Sequence, residues 1–239
     1  MAQGMQSSLL PPGQWEMAFC DEFDGAEADT DRVWEFQNGP SGHILCSRWR
    51  ENARVRDGVL SLIARQESRG GQNWTAASLW TRRTFQYGYF ESRYSYAPAT
   101  GTNNSFWIMT RGVIGARERG EDVAAAGRGP FEIDINEGHY PDVMNMNVHD
   151  ADGNTSAMTH RVPGSELARV PHVYGLDWNE RELVWYLDGR EIRRERNVVC
   201  HSPAPVWLSL AVIDWAGPVT DAIDGASMDV DYVRVFRRL

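Results

Sequence analysis

Short runs of strand-forming residues, cut by Gly, Pro, Asn and Asp, recur along almost the whole chain. The pattern predicts strands over residues 15–19, 52–56, 59–64, 76–81, 85–96, 105–109, 131–137, 144–149, 183–187 and 191–193. Asp57-Gly58 and Asp188-Gly189 each join two such runs, the strongest short-range hairpin signal available. Residues 29–50 read as irregular, and no stretch sustains a helical period with caps. The fold class is therefore all-β, most readily a sandwich.

Within this pattern Phe131-Glu132-Ile133-Asp134-Ile135-Asn136-Glu137 stands out, with three carboxylates among apolar strand formers. Alternation puts Glu132 and Asp134 on one face and Phe131, Ile133 and Ile135 on the other. Glu137 lies an odd five positions after Glu132, so a regular strand would bury it. A β-bulge near Ile135-Asn136 returns it to the acidic face. With one residue absorbed, the two glutamates are about 13 Å apart at Cα at ~3.3 Å per step. Leaning together, their carboxylates approach to roughly 5 Å, the spacing of retaining rather than inverting glycoside hydrolysis. A calcium site and a solvated acidic face fit the same residues.

Length and composition narrow the classes. The chain has 239 residues, net charge −9, ten Trp and eight Tyr. One domain over 15–239 after a loose segment 1–14 is expected, since nothing marks a linker. The charge argues against nucleic acid or anionic membranes as general partners, and no apolar run is long enough to span a bilayer. Aromatic excess favours a carbohydrate ligand, because ring faces stack on the apolar faces of sugars. Cys20, Cys46 and Cys200 show no metal spacing; one disulfide plus a free thiol, or three buried reduced thiols, both fit. No signal peptide is visible in Met1 to Pro12, so a secreted or periplasmic protein would be present here in its mature form.

The middle of the chain adds candidates. Alternation places Tyr89, Glu91 and Arg93 together, and likewise Asn145, Asn147 and His149. Residues 111–130 form a long Gly-, Ala- and Arg-rich connection between two strands.

The chain resembles glycoside hydrolase family 16, the β-jelly-roll enzymes that include laminarinases, agarases and carrageenases. The resemblance runs from Trp15 to Phe236 as an ordered series: Asp21-Glu22-Phe23 with Trp34, Asn52 with Asp57-Gly58-Val59-Leu60, Tyr87-Gly88-Tyr89-Phe90-Glu91-Ser92-Arg93, Ser105-Phe106-Trp107, the acidic motif, His172 to Trp178, and Met228 to Val235. It implies a concanavalin A-like sandwich of two antiparallel sheets with a concave cleft. It assigns Glu132 as nucleophile, Glu137 as acid/base and Asp134 as their electrostatic helper. Trp107 would stack on the sugar at the cleavage point, with Asn52, Glu91, Arg93, His149 and Trp178 as further cleft candidates. Catalysis would need no cofactor; a structural calcium on Asp231 and the Gly58 carbonyl is the one ion the resemblance suggests.

The implied activity is retaining endo-hydrolysis of a β-linked polysaccharide by a monomer. Gly129-Pro130 before the motif, Asp214-Trp215 and the long loop look more like the algal-galactan branches, so an agar, porphyran or carrageenan is the first expectation. Arg111, Arg117, Arg119 and Arg128 would then meet sulfate groups, unless they belong to a solvated loop. An endo-β-1,3-glucanase or a transglycosylase would use the same residues. A non-catalytic sugar-binding jelly roll is the rival from another class, although it has no need of two glutamates at that spacing.

Overall fold

The computed structural model describes residues 9–110, 130–150, 153–163 and 167–239. In chain order its strands are β1 (Trp15–Asp21), β2 (Trp34–Phe36), β3 (Cys46–Arg48), β4 (Ala53–Arg56), β5 (Val59–Ile63) and β6 (Trp74–Ala76). There follow β7 (Ser78–Thr81), β8 (Gly88–Ser95), β9 (Thr102–Met109), β10 (Glu132–His139), β11 (Val143–Asp150) and β12 (Gly153–Arg161). The remainder are β13 (His172–Trp178), β14 (Glu182–Leu187), β15 (Arg190–Arg196), β16 (Val206–Val212) and β17 (Ser227–Arg238).

Two antiparallel sheets face each other in a jelly-roll sandwich. The larger runs β15-β14-β13-β8-β17-β5-β4, with β1 paired to β17. The other runs β12-β11-β10-β9-β16-β7-β2, and β3 and β6 form a small parallel pair. At both predicted hairpins Asp and Gly take positive φ, 52° and 79° at Asp57-Gly58 and 50° and 76° at Asp188-Gly189. That is the two-residue turn whose twist suits the strands on either side.

Alternation sends Phe90, Phe106, Ile133, Ile135, Trp178 and Leu208 between the sheets, where all are fully buried. The opposite parity therefore faces outward, and on the seven-stranded sheet that outward face carries Trp107, Glu132 and Asp134. A smaller cluster of Trp15, Tyr89, Val184, Tyr186 and Phe236 lies on the outer face of the larger sheet, Trp15 being contributed by β1. Arg193 of β15 closes one open edge, donating to the Met146 carbonyl of β11 and the Ser156 hydroxyl of β12.

Two expectations are corrected here, and one left open is decided. Residues 29–50 are not wholly irregular: a helix, α1 (Glu27–Val33), precedes β2 and β3. It is too short to show a period, has no side-chain N-cap, and is tied down by tertiary ion pairs such as Glu27–Arg54 and Asp31–Arg50. The segment expected to be loose up to residue 14 is packed in its described part, since Leu10 lies against the outer cluster and the Trp15 indole donates to the Pro11 carbonyl at 2.9 Å. Cys20, Cys46 and Cys200 are all free, the three-thiol alternative, with Cys46 and Cys200 buried and Cys20 exposed rather than buried.

Candidate active site

β10 carries the acidic motif between β11 and β9, and its register shows where the extra residue goes. Against β9 the pairing steps from Asp134↔Trp107 to Asn136↔Phe106. Against β11 it steps from Asp134↔Asn147 to Glu137↔Asn145. Both shifts place a β-bulge at Ile135-Asn136, where parity requires it. Ile135 and Asn136 both turn into the core, each fully buried. Glu132, Asp134 and Glu137 consequently share the outer face.

A polar residue at the inserted position needs partners, and the opposing sheet supplies them. Asn136 Nδ2 donates to the Tyr94 hydroxyl at 2.6 Å and the Tyr96 hydroxyl at 2.9 Å. Tyr96 in turn donates to the Val143 carbonyl at the start of β11, at 3.2 Å. The Trp185 indole of β14 donates to the Asp134 carbonyl at 3.0 Å. Gly138, just past the bulge, lets the Tyr96 ring approach so closely that an added Cβ would lie 2.2 Å from its Cζ.

On the outer face, hydrogen bonds from both neighbouring strands hold Glu137. Asn103 Nδ2 of β9 donates to its Oε1 at 2.7 Å, and Asn147 Nδ2 of β11 to its Oε2 at 2.8 Å. The Asn147 amide also reaches Asp134 Oδ2, at 3.0 Å. His149, opposite Glu132 in register, places Nε2 3.3 Å from the same Asp134 oxygen.

These contacts set the proton affinities. Burial, then the charge of Asp134, raises the Glu137 carboxyl to about 7, against the amides of Asn103 and Asn147 and the His149 charge, which favour the anion. Burial also raises Glu132 well above the ordinary carboxylate range, reinforced by the charges of Asp134 and Glu137 and by a hydrogen bond to Asp134. His149 is raised chiefly by its hydrogen bond to Asp134. Closely spaced buried carboxyls cannot all ionise together, so the site holds protons at neutral pH and can both donate one and attack. Glu132, Asp134 and His149 bring potential metal-donor atoms within 4.8 Å of one another. Asp134 Oδ2 is already engaged by Asn147 and His149, so these residues form a hydrogen-bonded group rather than an open cradle.

Other sequence candidates fall elsewhere. The structure brings Trp107 and His149 to the carboxylates but sets Glu91, Arg93 and Trp178 on the other sheet. Glu91 is fully buried beside Arg234 on its outer side, and Arg93 is ion-paired with Asp231. Trp178 is in the core, donating to the Cys200 carbonyl at 2.9 Å. Asn52 is buried as a crosslink, its amide donating to the Ile63 carbonyl and Thr75 Oγ1. Gly58 lies in the β4–β5 turn, but the Asp231 carboxylate already carries the Arg93 guanidinium. These residues do not fit a hard dication that needs several free oxygens. Arg111, Arg117, Arg119 and Arg128 lie outside the described residues. Asn103 and Asn147 were missed as site residues, although Asn103 shares the parity of Trp107 and Asn147 that of His149.

Comparison with known proteins adds an independent line. The sequence profile of "Glycosyl hydrolases family 16" matches residues 43–234. A β-glucanase of Rhodothermus marinus is 32% identical, covering 93% of this chain and 85% of its own. The X-ray structure of the laminarinase from Rhodothermus marinus superposes with a TM-score of 0.80 at 30% identity, over 95% of this chain and 98% of that one. A kappa-carrageenase of Pseudoalteromonas carrageenovora is 26% identical, over 98% of this chain and 68% of its own.

If the bulge is pinned across the core, two substitutions should lower stability without touching the outer face. Gly138→Ala forces a methyl group into the Tyr96 ring, and Asn136→Ala strips the Tyr94 hydroxyl of a buried partner. Each should cost about 1–3 kcal/mol in urea unfolding. Wild-type midpoints in both would show that the bulge does not depend on these contacts.

Proposed function

This chain belongs to glycosyl hydrolase family 16 and is a glycoside hydrolase, and on that premise we propose that it is an endo-acting, retaining β-1,3-glucanase. The observation that carries the mechanism is the bulged acidic strand, which turns Glu132 and Glu137 to one face with Glu137 neutral up to about pH 7. Glu137 gives its proton to the glycosidic oxygen as Glu132 attacks the anomeric carbon, and the leaving half of the chain departs. Glu137, now ionised, takes a proton from water, which displaces Glu132 and restores the sugar's configuration. Attack needs Glu132 as the anion. His149 and Asn147, on the other side of Asp134, hold that carboxyl in position. Trp107, level with Asp134 on β9, offers a ring to the sugar at the cleavage point.

The substrate follows the nearer relatives. The β-glucanase and the laminarinase, at 32% and 30% identity, support a β-1,3-glucan over the galactan expected from the sequence. The kappa-carrageenase likeness at 26% keeps an algal galactan as the second reading.

Two measurements test the proposal. Incubation with laminarin, lichenan, agarose, porphyran and carrageenan should release new reducing ends first from laminarin, with β-configured products by NMR. Glu132→Gln should lose roughly ten-thousand-fold in rate. Equal, negligible release by wild type and variant from every polymer would end the enzyme reading, and release from a galactan alone would reverse the substrate assignment. The pH profile supplies the second test, because Glu137 must be protonated. kcat/KM should fall as pH rises through about 7. Asn103→Ala removes a donor that favours the anion, so this limb should move upward by somewhat under one pH unit, the equivalent of about 1 kcal/mol. A downward move would contradict the assignment of Glu137.

A further inference from the structure

The bulge interrupts the ladder between β10 and β11, and the opposing sheet reaches both strands at that point. Pairing steps from Asp134↔Asn147 to Glu137↔Asn145, so Met146 of β11 faces two residues of β10, Ile135 and Asn136. The Met146 carbonyl accepts from Arg193 Nη1 of β15. The Asp134 carbonyl, at the last paired residue before the bulge, accepts from the Trp185 indole of β14 at 3.0 Å. These two donors form one unit. Trp185 and Arg193 are opposed in the register of β14 and β15, and the guanidinium carbon lies 4.5 Å from the centroid of the indole. Arg193 Nη2 donates to the Ser156 hydroxyl and the Glu195 carboxylate, so the buried charge is paired.

The neighbours of Met146 give this contact its consequence. Met146 lies in the core, so Asn145 and Asn147 on either side of it point outward. Asn147 Nδ2 donates to Glu137 Oε2 at 2.8 Å, and Asn145 Nδ2 to the Glu137 carbonyl at 3.1 Å. A shift of β11 at Met146 therefore moves both amides that this strand gives Glu137. The charged groups facing Glu137 are Glu132 and Asp134 of β10 and His149 of β11, while β9 offers the amide of Asn103. Arg193 acts from the inner side of the same sheet. Its planar fork bonds several acceptors while its face rests on an indole, which a lysine ammonium cannot do.

We propose that Arg193, braced on Trp185, is a positioning residue for the acid/base Glu137, holding the β11 amides in register with the bulge. The proposal rests on the hydrolase reading above. It gives an edge strand of the opposing sheet a part in proton transfer as well as in stability.

The test is Arg193→Lys, which keeps the charge beside Glu195 but not the stacked fork. On the polymer that wild type cleaves, kcat should fall about tenfold while KM changes by less than about twofold. A displaced Asn147 amide favours the anion less, so the alkaline limb of kcat/KM should move upward by about half a pH unit. The carbon-13 NMR titration of the Glu137 carboxyl, assigned by its absence from Glu137→Gln, should move with it. In an Asn147→Ala background, Arg193→Lys should add little to either shift, because both changes act on one contact. Ser156→Ala removes the β12 partner of the guanidinium and should lower the urea midpoint without moving kcat or the titration. If Arg193→Lys lowers only stability, or if its shift and that of Asn147→Ala simply add, Arg193 is an edge contact and the proposal fails. If wild type cleaves no polymer yet the Glu137 titration moves with Arg193→Lys and not with Ser156→Ala, the positioning stands and the hydrolase reading fails.

Discussion

The site depends on one extra residue in one strand. In a regular strand, residues five apart face opposite ways, and Glu137 would lie in the core without a counter-charge, an arrangement too costly to persist. The bulge at Ile135-Asn136 removes that conflict but turns two consecutive residues inward, one of them an amide. The opposing sheet meets the amide with Tyr94 and Tyr96, while Trp185 takes the Asp134 carbonyl. The position of the second glutamate is thus determined from the far side of the core, and the packed interior transmits that constraint because close-packed side chains yield little.

Electrostatics then separates carboxyls that are chemically alike. Burial pushes Glu132 and Glu137 in the same direction, and their surroundings distinguish them. Glu137 receives an amide from each neighbouring strand, which limits its rise to about 7, whereas Glu132 is raised with Asp134 and Glu137 as like-charged neighbours. The asparagines act because cross-strand neighbours on one face stand close enough to bond directly. His149 adds a positive charge on the Asp134 side and ties β11 into the same group.

The tryptophans divide between two purposes that composition does not separate. Trp34, Trp178 and Trp185 fill the core. Trp107, Trp207 and Trp80 line up on the outer face as a stack. The aromatic excess points to a sugar ligand but names no members: Trp178, a cleft candidate by its motif, packs in the core.

Whatever depends on neighbours along the chain was legible. Alternation and Asp-Gly turns gave the all-β class and both hairpins, and the odd spacing of Glu132 and Glu137 located the bulge, because the two-residue period of a strand is a local property of the backbone. Parity likewise grouped Asn147 with His149, and Glu91 with Arg93. It could not say which sheet each strand joins. Both groups looked equally suited to a cleft, but β11 joins the sheet that bears the site and β8 the one opposite, so His149 meets Asp134 while Arg93 meets Asp231. That choice is made by long-range pairing and by burial of the whole sandwich. The chain by itself determined its strands, their faces and the carboxylates on one of them; only the tertiary structure decided which faces meet across the core, and so which side chains surround those carboxylates.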